Sequence, residues 1–455
     1  MSGSTFGDKF KIHTFGESYS RALGVLIDNI KPGIKISRKI IQKELFRRRP
    51  RQSRFTTQRK EKDRIEILSG IFSGKTTGAP ICIIVRNKSK VNGAYKKMKN
   101  LFRPGHADFT YFKKYQIRDY RGGGRASARE TISRVIAGAI AKKLLEERGI
   151  KITGFTRSIA GVTCRKVDYN FIEKNPFRCC DKTTASRIKE VVGRAIKNRD
   201  SVGGIVEVHI KNISTGLGEP VFEKLDAELA KAIVSIGAVK GVEFGSGFSS
   251  TKKFGSENND QINKSGFITN NAGGILGGIS TGQDIIIRAA VKPTSSIGKK
   301  QKTIDIFGEE KTIRITGNHD PCICPRIVPV IEAMCAIVLY DFLLKQKDIA
   351  MNDEGDLEKL RKALDDIDEN VLFSLKNREG IVKLISRYKK LNKIPIYDRK
   401  REKELFAGLA KVSKTIGLNK NFTRRIFQFI LNNAKKIQRR CYVDEIFEPK
   451  RYFQK

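Results

Sequence analysis

The sequence predicts a mixed α/β domain over about the first 345 residues, followed by a small all-helical unit. Three observations carry this reading. Up to about residue 345, short strand-like runs alternate with helical stretches, and glycine clusters at 122–124, 203–204, 273–274 and 277–278 punctuate them. From Asp353 onward glycine becomes sparse and a helical apolar repeat takes over. The chain has 455 residues of which 39% are hydrophobic, so it can bury cores for two or three domains.

In order along the first region, strands are expected at 81–85, 204–210 and 284–289, and helices at 129–147, 184–198, 225–235 and 329–344. In the second region Leu357, Leu360, Leu364, Ile367 and Val371 follow one another at spacings of 3, 4, 3 and 4, which places them on one helical face. That helix is expected to run to about Lys390, where Asn392 and Pro395 stop it. A second helix fits 400–415 and ends at Gly417, and a third fits 421–439 with Phe427, Ile430, Ala434 and Ile437 inward. The expected boundaries are a domain at 1–345, a linker at 346–352, a helical domain at 353–440 and a tail at 441–455.

The formal net charge of +42 suits a nucleic-acid binder, an enzyme for polyanionic small molecules, or a lysine bias spread over helix surfaces. Eight cysteines are too few for a disulfide scaffold in a chain of this length, and neither Cys179–Cys180 nor Cys322 and Cys324 has zinc-ligand spacing. Free thiols in a reducing cytosol, with no metal, are expected. No opening apolar run preceded by basic residues marks a signal peptide. The longest apolar stretch, 327–344, is interrupted by Pro329, Glu332 and Asp341, so no membrane span is expected.

Arginine marks the candidate chemistry. The run Arg47-Arg48-Arg49-Pro50-Arg51-Gln52-Ser53-Arg54 leads into Phe55-Thr56-Thr57-Gln58-Arg59. By itself such a run is more often a nucleic-acid patch or a solvated face. Next come Arg103-Pro104-Gly105-His106-Ala107-Asp108 and Arg118-Asp119-Tyr120-Arg121-Gly122-Gly123-Gly124-Arg125-Ala126-Ser127-Ala128-Arg129-Glu130. A triple glycine flanked by arginines and opening a helix suits an anion held by backbone N–H groups and guanidinium forks. An isolated glycine run is more often an ordinary tight turn. Further segments follow in order: Gly16-Glu17-Ser18 near the start, Asn271-Ala272-Gly273-Gly274-Ile275-Leu276-Gly277-Gly278, Lys292-Pro293-Thr294-Ser295-Ser296 and His319-Asp320-Pro321-Cys322.

Together, in this order and spacing, these motifs closely resemble chorismate synthase over residues 4–345. The resemblance implies an α+β core of antiparallel sheets packed with helices and a homotetramer. It also implies a reduced-FMN-assisted 1,4-elimination of phosphate from 5-enolpyruvylshikimate 3-phosphate, with NAD(P)H needed only indirectly to reduce the flavin. Substrate and flavin bring carboxylates and phosphates, for which arginine is the apt cation. By resemblance Arg48, Arg54, Arg129 and Arg326 bind substrate. Arg125, Ala126, Ser127, Gly237, Ala238, Gly277, Lys292, Pro293, Thr294, Ser295, Ser296 and Asn318 line the flavin. His106 protonates the departing phosphate, and Ser18 and Asp320 tune the flavin N5. Two positions depart from the family pattern: Tyr19 stands where a second catalytic histidine is usual, and Asn318 where an arginine is usual. A phenol titrates near pH ~10 and cannot replace imidazole in proton transfer near neutrality, although it still donates a hydrogen bond. Slowed synthase activity is expected.

In the helical unit Arg378 falls on the apolar stripe of the first helix, and Gln438 lies one turn beyond Ala434 on the buried face of the third. Polar groups on a core face need a partner, which an enclosed anion supplies; snorkelling to water is the plainer reading for Arg378 alone. The unit resembles the three-helix type of chorismate mutase over 357–438. The resemblance implies a Claisen rearrangement of chorismate to prephenate, with Arg361, Arg378 and Arg401 on carboxylates and Lys389 and Gln438 at the ether oxygen. Asp398 or Glu402 would hold the hydroxyl, and pockets would be shared between paired domains. Ala434 stands where a serine is usual. A cytoplasmic bifunctional enzyme is therefore expected, acting on small anionic molecules and needing neither membrane nor nucleic acid. A chorismate-sensing, non-catalytic helical unit is the alternative.

Overall fold

Two five-stranded antiparallel sheets frame the first of two compact units, residues 1–351; the second comprises residues 352–455. The computed structural model describes residues 3–444 apart from 58, 60, 89–94, 97, 316–318 and 350–356. The strands are β1 (Thr5–Phe6), β2 (Ile12–Gly16), β3 (Ala22–Ile27), β4 (Ile65–Ser69), β5 (Ile81–Arg86), β6 (Lys151–Ile159), β7 (Val162–Thr163), β8 (Gly204–Lys211), β9 (Val239–Phe244) and β10 (Ile285–Val291), with a hairpin of β11 (Lys300–Ile304) and β12 (Glu310–Arg314). The first sheet has the order β1-β2-β3-β5-β4 and the second β9-β10-β8-β6-β7. In β3 the alternation Leu23, Val25 and Ile27 faces inward and is fully buried.

The principal helices of this unit are α1 (Arg38–Arg48), α2 (Asp108–Tyr115), α3 (Thr131–Glu146), α4 (Lys182–Lys197), α5 (Leu225–Val234) and α6 (Cys324–Ile349). Helix α3 packs on β2 and β3 of the first sheet, α6 on β6 and β8 of the second, and the two helices pack on each other. The layers are sheet, paired helices, sheet. A Cβ at Gly138 would stand 2.3 Å from Ala333 Cβ, so the close approach of α3 and α6 requires glycine there.

Helix α6 corrects the sequence reading in three ways. It begins at Cys324 rather than Pro329, because the carbonyl freed by the missing proline N–H, that of Pro325, accepts from the buried Arg178 guanidinium. It continues to Ile349, through part of the expected linker, because no glycine or proline interrupts residues 345–349. It is also long and apolar enough by length and composition to cross a membrane, yet 89% of its apolar window is buried in the core. Its two interior acids are both engaged. Glu332 pairs with Arg47 and with Lys142 (2.8 Å) and accepts the Gly154 N–H at 2.8 Å. Asp341 Oδ1 accepts the backbone N–H groups of Asp8, Lys9 and Phe10 at 3.1, 2.7 and 2.6 Å, clasping the start of the unit to its last helix.

The second unit is α7 (Leu357–Leu391), α8 (Arg399–Thr415) and α9 (Lys420–Asp444), with α9 packed on both others. Asp398 caps α8 by accepting the Arg401 N–H, and Gly417 ends it in the left-handed conformation while the Leu418 N–H returns to the Ser413 carbonyl. Among its described residues only Val382, Ser386, Ser413 and Ala434 are buried. The expected apolar stripe does not reach a core: Leu364, Ile367 and Val371 are all exposed.

Candidate functional site

One end of the first unit gathers the loops around a cavity of about 900 Å³. Its walls come from the turn after β2, the C-terminus of α1, the segment ahead of α2, the glycine turn into α3, the α5–β9 connection, the segment after β10 and the entry to α6. The glycine turn lets three walls meet. Gly122 and Gly123 both have left-handed φ, and a Cβ on them would lie 2.7 Å from the Tyr19 ring and 2.7 Å from His106 Cε1 respectively.

Two arginines dominate the floor. Arg48 is 2% exposed; its Nε donates to Thr131 Oγ1 at 3.1 Å and its Nη2 to the Ala128 carbonyl. Arg129 is 4% exposed, donating to Asp63 Oδ1 at 3.1 Å and to Asn87 Oδ1 at 2.9 Å. Arg48 Nη1 faces Asp63 Oδ2 at 3.6 Å, too far for a hydrogen bond. Arg48 Nη1 and Arg129 Nη2 are both buried without a hydrogen-bond partner among the described residues. Burial, and then the Arg326 cation, push the Arg48 pKa down to about 9, so it stays charged at neutral pH. Two cations on one carboxylate, with N–H groups unmet, form a floor built for a further anion.

The proton-handling residues stand close by. His106 Nδ1 lies 3.1 Å from Asp108 Oδ1 and 3.2 Å from Arg103 Nη2. Burial lowers the His106 pKa, opposed by the Asp108 hydrogen bond. Burial would raise Asp108, but bonds from Arg103 and His106 hold it well below the usual carboxylate range. Ser18, 1% exposed, has its Oγ 3.3 Å from Ser127 Oγ and from Arg59 Nη1. The Arg59 guanidinium lies 4.8 Å over the Tyr19 ring, whose edge meets Tyr95 at 5.8 Å. Asp320 accepts the Thr57 N–H at 2.9 Å and pairs with Arg326, which also donates to the Arg48 carbonyl at 3.3 Å. Lys292 bonds the Gly105 carbonyl and Ser295, tying two walls together.

Of the residues singled out in the sequence, Ser18, Tyr19, Arg48, His106, Ala126, Ser127, Arg129, Gly237, Ala238, Lys292, Pro293, Thr294, Ser295, Ser296, Asp320 and Arg326 line this cavity. Three do not. Arg54 is exposed, its guanidinium 4.9 Å over the Phe55 ring. Arg125 turns to β2, bonding the Thr14 and Gly16 carbonyls at 2.8 and 3.3 Å. Gly277 sits in a separate two-stranded turn between Ile275–Leu276 and Ile279–Ser280. Asn318 lies outside the described residues. Sequence reasoning passed over Asp63, Arg103, Asp108, Arg59 and His319. Arg59, Arg103, Asp108 and His319 stood inside the motifs, whereas Lys62-Asp63-Arg64 reads as a solvated charge run.

In the helical unit the nominated residues do not converge on one cavity. Lys389 donates to the Pro395 and Ile396 carbonyls at 3.1 and 3.0 Å. Glu402 pairs with Lys435 at 2.8 Å, and Lys435 lies 4.1 Å over the Tyr397 ring. Gln438 Oε1 is buried without a hydrogen-bond partner among the described residues, while the Gln438 backbone carbonyl accepts from Ser386 at 3.1 Å. Arg378 is half-buried, Arg361 and Arg401 are exposed, and the Asp398 carboxylate is engaged in the helix cap. A groove of about 440 Å³ between α8 and α9 includes only Glu402 of the set.

Comparison with known proteins agrees with the motifs. The chorismate synthase family matches residues 10–344, and the chorismate mutase type II family matches residues 360–439. A chorismate synthase of Desulfatibacillum aliphaticivorans is 50% identical over 349 residues, 77% of this chain and 98% of that protein. One from Archaeoglobus fulgidus is 52% identical over 352 residues (75% and 98%), and one from Methanosarcina acetivorans 53% over 354 (76% and 97%). A chorismate synthase crystal structure superposes with a TM-score of 0.61 at 31% identity, covering 80% of this chain and 99% of that one.

Proposed function

The chain belongs to the chorismate synthase family and carries a chorismate mutase type II domain behind it, and from this premise we propose that it makes chorismate in one unit and rearranges it to prephenate in the other. It is a bifunctional enzyme of the shikimate pathway, with lyase and isomerase domains. The observation that carries the first activity is the buried Arg48–Asp63–Arg129 cluster with its unmet N–H groups in the cavity floor.

The substrate in this reading is 5-enolpyruvylshikimate 3-phosphate. Arg48 and Arg129 bind its anionic groups with preorganised forks. The ring carbon–oxygen bond to phosphate breaks, a hydrogen leaves the ring, and a second ring double bond forms. His106 delivers a proton to the departing phosphate, and Asp108 holds the imidazole for that step. The remaining walls fit reduced FMN. Ala126, Gly237 and Ala238 are small enough to admit a flat ring, Lys240 and Lys292 supply cations, and the buried Thr294 hydroxyl has no partner among the described residues. When bound, reduced FMN supplies transient electron density with no net redox change. A nicotinamide nucleotide enters only to reduce the flavin. Anaerobic incubation with reduced FMN and the phosphorylated substrate tests the reading; absence of both chorismate and prephenate would reject it.

Tyr19 limits this chemistry because it offers a hydroxyl where the family pattern has a histidine, whose imidazole can act as general acid or base. Tyr19→His is expected to raise chorismate turnover several-fold, an order of effect typical of restoring part of a general-acid contribution of about 10²-fold. Steady-state rates with chemically reduced FMN measure it, and an unchanged or lower rate would exonerate the tyrosine.

The mutase reaction needs no nucleophile; it needs the substrate conformer held and the ether oxygen stabilised. Lys389 and Gln438 are assigned to that oxygen, Arg361, Arg378 and Arg401 to carboxylates, and Asp398 or Glu402 to the hydroxyl. The exposed stripe of Leu364, Ile367 and Val371 supports pairing of this unit with a second copy, within a homotetramer. All eight cysteines are free, which supports a reducing cytoplasmic setting. The capped Asp398 and exposed Arg361 favour a second reading, a chorismate sensor. In the full chain supplied with chorismate, Arg378→Ala and Lys389→Ala are each expected to cut prephenate formation by about 10²-fold or more. Wild-type chain that binds chorismate without forming prephenate would establish the sensor.

A further inference from the structure

Two histidines line the cavity among the described residues, and only one is accounted for. His106 Nδ1 is held by the Asp108 carboxylate. His319 lies in the opposite situation: its Nε2 is sealed from solvent and has no hydrogen-bond partner among the described residues. The adjacent Asp320 carboxylate is engaged elsewhere, by the Thr57 N–H at 2.9 Å and by Arg326. A buried polar atom left unmet in a cavity wall is destabilising until a ligand completes it.

The charged and titratable groups facing His319 are Arg103 and His106, from the segment ahead of α2, and Asp320 from its own segment. Burial, and then the Arg103 cation, push its pKa down to about 4, so the ring is neutral in the free cavity near neutral pH. A phosphate dianion beside the ring would oppose Arg103 and favour the charged form.

We propose that His319 is a ligand-binding residue whose Nε2 hydrogen-bonds an anionic phosphate oxygen of the cavity's ligand. As that anion arrives, the imidazole takes up a proton from solvent; no covalent bond is made or broken. The inference rests on the synthase reading, in which both the substrate and FMN carry a phosphate. Phosphate is therefore the shared chemistry, and the two ligands become separate arms of the test.

Calorimetric titration of the full chain near neutral pH, in two buffers of different ionisation enthalpy, counts protons taken up on binding. FMN is titrated first, and 5-enolpyruvylshikimate 3-phosphate is then titrated into the FMN-loaded chain, for wild type, His319→Gln and His106→Gln. With one of the two ligands, proton uptake by wild type and His106→Gln should exceed that of His319→Gln. The His319→Gln chain should bind that ligand about tenfold more weakly, as expected for losing one charge-assisted hydrogen bond. His319→Asn provides a second variant should glutamine prevent folding. Wild-type uptake and affinity for both ligands in either folded variant would overturn the proposal. A wild-type chain that binds both ligands but makes no chorismate would instead sink the synthase reading, while the uptake comparison still decides the role of His319.

Discussion

Arg48→Ala should lower kcat/KM for chorismate formation by about 10²–10³-fold, comparable to deleting a preorganised donor aimed at developing charge. The guanidinium is 2% exposed, and one of its nitrogens has no hydrogen-bond partner among the described residues. Its loss also leaves Asp63 with Arg129 as its remaining ion-pair partner among the described residues. Arg48→Lys should recover little, because a point charge on a flexible stem cannot serve Thr131, the Ala128 carbonyl and an anion at once. The check is a steady-state assay with chemically reduced FMN, with prephenate formation from supplied chorismate as an internal control. A variant that loses both activities equally would point to unfolding, and one that keeps near-wild-type kcat/KM would remove Arg48 from the site.

The second large effect is on stability. Glu332→Ala should destabilise the first unit by roughly 1.5–3 kcal/mol, because it takes the buried carboxylate from Arg47 and Lys142 and leaves them the more exposed Glu44 and, for Arg47, Glu173. It also leaves the Gly154 N–H without its carboxylate acceptor. Burial alone would raise the Glu332 pKa, but Arg47 and then Lys142 hold it well below the usual carboxylate range. A depressed folded-state pKa means that its stabilisation is complete above the ordinary glutamate value of 4.5 and is lost as pH falls from there toward the folded value. Urea unfolding at neutral pH should therefore separate variant and wild type widely, and the gap should narrow in acid. A gap that is constant down through that range would mean that packing, and not charge, sets the effect. The helix carrying Glu332 packs on α1, whose last residue is Arg48, so partial loss of activity should accompany the loss of stability.

Much of the fold was legible because its signals are local. Expected and observed limits agree within a few residues for β5, β8 and β10, for α4 and α5 and for α7 to α9. Helix α6 was read too short because proline is a reliable break only when the freed carbonyl has no other partner. Arg178, remote in sequence, supplies that partner. The site was legible where motif and geometry coincide, as at Arg48, His106 and Arg129. It was not legible at Asp63, whose importance comes from two arginines 15 and 66 residues away along the chain. Arg54 and Arg125 show the converse. Charge and motif nominated both, but side-chain direction depends on the local backbone, and both turn away from the cavity.

The clasp between Asp341 and the first strands bears on the order in which the molecule can be made. Residues 8–10 emerge from the ribosome early, yet the carboxylate that receives their N–H groups is translated more than three hundred residues later. Until then the opening hairpin lacks one of its anchors, and so large a sequence separation slows closure. The helical unit, encoded after residue 351, has contacts that are local in sequence and should form quickly once exposed. In the newborn chain, the helical unit can therefore be folded almost as soon as the opening hairpin gains its last anchor.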